Sequence, residues 1–201
     1  MISVKKNTPI DSFTDFVRHE KPKVWEDLHK QTKLPNLYSQ IKSALVKEQG
    51  GVSAYTEEPI SPKSHIDHFC KRSLFPKLTF DWNNLFVDGL SEYYGAKYKD
   101  SVVSNKCDYD LLISPNENNV ERYFTYMENG EIIVAPGLSK QEVQRADYTI
   151  KTFNLNNSEL KSRRAIVLKN VHDFGTGLTP KDIRMALTDF GFRTVIEYAL
   201  M

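Results

Sequence analysis

Ser64-His65-Ile66-Asp67-His68-Phe69 is the stretch that decides how this chain is read. It sets two of the five histidines and a carboxylate within six residues, after the turn chemistry of Ser61-Pro62-Lys63 and before a loop opening at Pro76. Residues 65–69 are expected to form a short strand, in which alternate side chains share a face. His65 and Asp67 then point one way and His68 the other, unless the strand bends or bulges at its end. Phosphodiester hydrolysis needs a base for the attacking water and a cation for the charged phosphorane. Neutral imidazole is such a base near pH 7, and a carboxylate oxygen suits Mg²⁺ or Mn²⁺. A single site built from Asp67 and His68 therefore requires the bend. Taken alone, such a pair on a strand is more often a surface or hydrogen-bonded Asp-His contact. His19, His29 and His172 have no comparable company and read as structural.

Working outward, the first fifty residues read as a helical packing or docking layer. A short helix capped by Asp11 or Ser12 is expected to run through His19 and stop near Pro22. A second spans about residues 34–49, with Leu37, Ile41, Ala44 and Leu45 on one face and Gly50-Gly51 ending it. Residues 52–60 read as a strand preceding the one at His65. Phe80, Trp82 and Leu85 read as apolar anchors of the loop after Pro76, and a helix is expected from about Ser91. Asn129-Gly130 between residues 123–127 and 131–134 signals a hairpin. Ser139-x-x-Glu142 resembles a capping box for a helix through Phe153. Ser158 is expected to cap a helix to about Val171, and Pro180 to open the last one, before Gly191. The fold class is thus α+β, mostly helical, with a central ββα arrangement and a further β-hairpin. Residues 1–50, 51–100 and 101–201 are expected to pack as parts of one domain.

Composition sets the outer limits. The chain has 201 residues, 40% hydrophobic and 26% charged, as expected of a globular protein. No stretch approaches the roughly 18 apolar residues of a membrane helix, and the lysines before Thr8 precede no apolar core of a signal peptide. With Cys70 and Cys107 alone, a reducing, cytoplasmic setting is expected. Lys and Arg total 27 against 26 Asp and Glu, a net charge of +1. Affinity for nucleic acid rests largely on neutralising phosphates, so a chain this close to neutral would borrow affinity from a partner. The basic residues are local: Lys63, Lys71, Arg72 and Lys77, then Lys97 and Lys99, then Lys161, Arg163 and Arg164.

The text downstream of His68 adds a family resemblance. His65-Ile66-Asp67-His68-Phe69, the pair Phe75-Pro76 and Leu78-Thr79-Phe80-Asp81-Trp82-Asn83-Asn84-Leu85 occur in this order before a helix-like stretch. Together they resemble the HNH (ββα-metal) endonucleases, in particular the subfamily found with retrons and in the Septu anti-phage system (PtuB-like). The resemblance continues through Leu112-Ile113-Ser114-Pro115, Tyr123-Phe124, Asn129-Gly130-Glu131-Ile132, Ala146-x-x-Thr149-Ile150 and Phe153-Asn154-Leu155-Asn156. It ends with Leu160 and Arg163-Arg164, and so covers most of the chain from residue 50 onward.

The resemblance implies His68 as general base, Asp67 as a metal ligand, Asn84 as the central asparagine that orients base or metal shell, and His65 as a ligand to metal or phosphate. It implies a Mg²⁺ or Mn²⁺ cofactor, a nucleic-acid substrate (DNA or RNA, such as a tRNA), and an ABC- or SMC-like ATPase partner (PtuA-like). Retron versions add a reverse transcriptase with its RNA–DNA product. The chain departs from the family at two places. The two Cys-x-x-Cys pairs that hold a structural zinc fall on Ser53 and Thr56 and on Gly89 and Glu92, so no structural zinc is expected. The third HNH residue falls near Tyr93, a weak Mg²⁺ ligand, which leaves the position to Glu92 or a water. Two functions follow: an active endonuclease effector, or a non-catalytic adaptor that retains a degenerate nuclease fold.

Overall fold

A computed structural model describes residues 1–30, 34 and 36–201; the second helix, expected from about Leu34, begins at Leu37. The fold is α+β, about half helical, with two small antiparallel sheets. The first sheet carries the segment at issue. Strand β1 (His65–His68) pairs with β2 (Leu85–Asp88) in a regular register, His65 opposite Asp88, Ile66 opposite Val87, Asp67 opposite Phe86 and His68 opposite Leu85. Helix α3 (Ala96–Val102) follows β2.

This sheet is buried on both faces, and each face belongs to a different core. One core packs Ile66, Leu85 and Val87 against Phe13, Phe16, Trp25, Leu28, Trp82 and the apolar face of helix α2 (Leu37–Glu48), Leu37, Ile41 and Leu45. The other joins Phe86 to Tyr55, Phe69 and the C-terminal half of the chain. The residues before β1 are therefore part of the sheet's packing. Helix α1 (Asp11–Asp15) continues as a π-turn through Glu20 and ends where Lys21 turns left-handed at φ 48°, just ahead of Pro22. The side-chain cap expected from Asp11 or Ser12 does not form, and the N-cap position is Ile10.

Two expectations around the sheet are corrected. Residues 52–60 form a reversing turn with one bridge, Val52 to Pro59. The Ser53 hydroxyl accepts the N–H groups of Tyr55 and Thr56 at 3.1 Å each, which folds the chain back before a ladder can form. The partner strand is instead β2, four residues that are all buried. A strand covered on both faces loses the period-two alternation by which strands are recognised. The helix expected from Ser91 starts at Ala96, after Gly95 takes φ +77°.

The C-terminal half follows the sequence more closely. Strands β3 (Phe124–Tyr126) and β4 (Ile132–Val134) pair across Asn129-Gly130. Helix α4 (Lys140–Thr152) opens with the capping box of Ser139 and Glu142. Helix α5 (Ser158–Gly175) is capped by Asn157 rather than Ser158 and runs past Val171. Helix α6 (Pro180–Ala186) starts at Pro180, and helix α7 (Arg193–Ala199) follows Gly191. The hairpin is fastened to α5 by Arg164, a buried guanidinium that donates to the carbonyls of Gly130 and Leu155 at 2.6 Å each. No described helix is long and apolar enough to cross a membrane.

Candidate functional site

His68 ends β1 on the face that carries Ile66, Leu85 and Val87. Its ring meets Trp25 edge-on, with centroids 4.6 Å apart, and the residue is 6% exposed. Nε2 lies 2.9 Å from the carbonyl oxygen of Thr79. A carbonyl only accepts, so Nε2 carries the proton and a neutral ring keeps its lone pair on Nδ1. Burial holds the ring neutral by pushing its pKa from 6.5 down to about 4, a fall that the Thr79 hydrogen bond and Asp67 only partly oppose. Nδ1 makes no hydrogen bond among the described residues, and it is not one of the polar atoms sealed in the core without a partner.

Asn84 builds the turn that presents Thr79. Its Oδ1 accepts from the Cys70 N–H at 2.7 Å, and its Nδ2 donates to the carbonyls of Cys70 at 3.0 Å and Leu78 at 3.1 Å. One buried amide thus closes both ends of the loop between β1 and β2, fixing Thr79 against His68. A groove of about 420 Å³ runs along the same turn, walled by Phe13, Val17, Phe80 and Trp82. Exposed Arg18, Asn7 and Asn83 stand at its edge.

Asp67 faces the other way. Directly paired residues share a face, so Asp67 lies with His65, Phe86 and Asp88 on the side of Tyr55. Its Oδ2 accepts from the Tyr55 hydroxyl at 2.6 Å and from the Lys99 ammonium at 3.3 Å. Lys99 reaches down from α3 and is fully buried; it also donates to the carbonyls of His68 at 2.9 Å and Phe69 at 2.8 Å, and pairs with Asp100 at 3.0 Å. Burial works against charge on both partners. The Lys99 ammonium and the Tyr55 hydroxyl outweigh it at Asp67, whose pKa is lowered; Asp67 and Asp100 outweigh it at Lys99, whose pKa is raised. The pair is ionised throughout the physiological range.

The expected ligands therefore do not form one set. β1 is regular through His68, and the bend that would gather Asp67 and His68 around one ion is absent. The Asn84 amide is bonded wholly to backbone. Glu92 is exposed and lies 3.6 Å from Lys97. His65 is half-buried, and its Nδ1 is sealed without a partner. Among the described residues, no three His, Cys, Asp or Glu side chains are grouped to hold a metal ion. As arranged here, Asp67, Asn84, His65 and Glu92 do not fit one divalent cation.

Ser53 and Thr56, Gly89 and Glu92, where the resemblance would put zinc ligands, hold a different device. Ser53 donates to Asp88 Oδ1 at 2.6 Å, and Asp88 Oδ2 accepts the Ala96 N–H at 2.7 Å. One buried carboxylate joins the turn at Ser53 to the start of α3. A hydroxyl already committed to Asp88, a threonine, a glycine and the exposed Glu92 make no tetrahedral zinc set.

Sequence reasoning missed Trp25, Tyr55, Thr79, Asp88 and Lys99. Thr79 acts through its backbone, which no residue type announces, and nothing in the sequence distinguishes Lys99 from the more exposed Lys97. A search with protein-family models and a search of curated proteins each return no match for this chain.

Proposed function

We propose that the chain is an HNH-type endonuclease, the nucleic-acid-cleaving subunit of an anti-phage complex, with His68 as general base. The observation that carries this reading is the hydrogen bond from His68 Nε2 to the Thr79 carbonyl. It leaves a neutral ring with Nδ1 as acceptor, able to take the proton of an attacking water or hydroxyl. The Asn84 clamp is the kind of positioning that a general base requires. It agrees with the role that the resemblance gives the central asparagine. Strand β1, strand β2 and helix α3 succeed one another between His65 and Val102, an order compatible with a ββα motif, and this supports the reading. The aromatic wall beside the turn suits stacking of an unpaired base, and the exposed Arg72 and Lys77 on the preceding loop suit phosphate. With a net charge of +1, binding strength comes from a partner, for which the resemblance offers an ABC- or SMC-like ATPase.

A non-catalytic adaptor is the second reading, and one observation favours it. The carboxylate that the resemblance makes a metal ligand is closed off by Lys99 and Tyr55. Incubating the purified chain, with and without the neighbouring ATPase, against phage DNA and total cellular RNA in Mg²⁺ and Mn²⁺ separates the two. The wild type should cleave one of them. His68→Ala, folded and still assembled, should lose about 10² to 10⁴-fold in rate. Full phage protection by His68→Ala at normal expression would leave the adaptor standing and end the nuclease reading.

A further inference from the structure

Lys99 is a buried charge that the proposed chemistry does not use, and its surroundings are unusual for a lysine. Four oxygens stand around its nitrogen: a carboxylate oxygen of Asp67 at 3.3 Å, the carbonyls of His68 and Phe69 at 2.9 and 2.8 Å, and a carboxylate oxygen of Asp100 at 3.0 Å. Two carboxylates and two carbonyls are the hard donors that Mg²⁺, Mn²⁺ or Ca²⁺ would choose. Here they surround an ammonium on a side chain anchored in α3, with no part of it exposed to water.

We infer that Lys99 is the resident cation of the Asp67 site: a tethered ammonium holds the place among these oxygen donors that a divalent ion would otherwise take. Three physical points support the exchange. The negative charge to be neutralised is two carboxylates, and one of them already accepts a second bond, from Tyr55 at 2.6 Å. A divalent ion entering beside Lys99 would bring three positive charges against two negative ones, with Lys99 and Asp67 both buried. The ammonium also bonds the backbone on both sides of the β1 terminus, so it cannot withdraw without unfastening the strand end that carries His68. Opposite charge is thus supplied by the chain itself, at a concentration that no free ion matches. The inference goes beyond the nuclease proposal and holds whether or not the chain cleaves anything, because it concerns what occupies Asp67.

The test uses ion binding to the full chain, not cleavage. Tb³⁺ reports oxygen-ligand sites by luminescence sensitised from a nearby tyrosine, and the Tyr55 hydroxyl touches Asp67. Wild type and Asp67→Asn should give the same weak emission. Emission in the wild type that disappears in Asp67→Asn would overturn the inference. The second arm is Lys99→Met, which removes the ammonium and leaves its oxygens. That variant, when folded, should gain an Mn²⁺ site seen as a rise in Tm of roughly 5 °C or more with added Mn²⁺, absent in the wild type. A folded Lys99→Met that ignores Mn²⁺ would also overturn the inference. If Lys99→Met does not fold, the Tb³⁺ comparison on the wild type decides alone.

Discussion

Lowering the pH from 7 to 5 should weaken the fold measurably through one side chain, His68. In the unfolded chain its imidazole titrates at the ordinary 6.5, but in the fold, buried against Trp25, only at about 4. Between those values the unfolded state binds a proton that the native state refuses. Stability is therefore complete above about pH 6.5, declines as the pH falls, and stops declining on this account below about 4. At about 1.4 kcal/mol for each pH unit, the whole effect is about 3 kcal/mol, of which about 2 kcal/mol is lost by pH 5. Urea unfolding at pH 7, 6 and 5 measures it, with His68→Gln as the reference. Asp88 and Asp100, whose pKa values are raised by burial, titrate in both proteins and cancel in the difference. The wild type should lose about 2 kcal/mol more than the variant by pH 5. A direct check is the NMR titration of the His68 Cε1 proton. A midpoint near 6.5 in the folded protein, or parallel pH dependence of the two proteins, would refute the argument that burial keeps the ring neutral.

Further outcomes follow from other parts of the fold. Gly130→Ala should cost at least about 2 kcal/mol in thermal unfolding, because φ is +78° there and an added Cβ overlaps the Lys161 carbonyl and comes 2.7 Å from the Ala165 nitrogen. Asn84→Ala removes three hydrogen bonds and should cost about 2 to 3 kcal/mol; hydrogen exchange should rise at Cys70, and any cleavage should slow by misplacement of His68. Arg164→Met strands the carbonyls of Gly130 and Leu155 and should lower the melting temperature, whereas a surface arginine replaced alike would not. Nucleic-acid binding by the isolated chain should be weak and fall steeply between 50 and about 200 mM salt; a filter-binding curve that salt leaves unchanged would contradict it.

What the sequence revealed, and what it concealed, divides along physical lines. Local signals were legible: the Asn129-Gly130 turn, the Ser139–Glu142 box and the start at Pro180 each depend on residues within four positions of one another. The opposite facing of Asp67 and His68 was also legible, since it needs only the period of a strand. Strand β2 was not, because burial on both faces erased its pattern. Nor were the partners that define the candidate site. Thr79 meets His68 through a carbonyl eleven residues away, and Lys99 meets Asp67 across 32 residues, contacts set by tertiary packing. The burial of Lys99 and Arg164, two of the locally clustered basic residues, was not legible for the same reason: each donates to backbone carbonyls that only the fold brings together.

The sheet that separates Asp67 from His68 has a consequence for how the chain finds its native pairing. Four residues per strand give few hydrogen bonds, and a slip of one residue would keep most of them. It would also exchange the faces: Asp67 would enter the aromatic layer of Trp25 and Phe80, while Ile66 and His68 would meet the Lys99 ammonium and the Tyr55 hydroxyl. Each error is an uncompensated charge or an unbonded polar group in a closed interior. Side-chain chemistry on the two faces therefore acts as a proofreading device. The short strand is held in alignment less by its ladder than by the mutual intolerance of the two cores it divides.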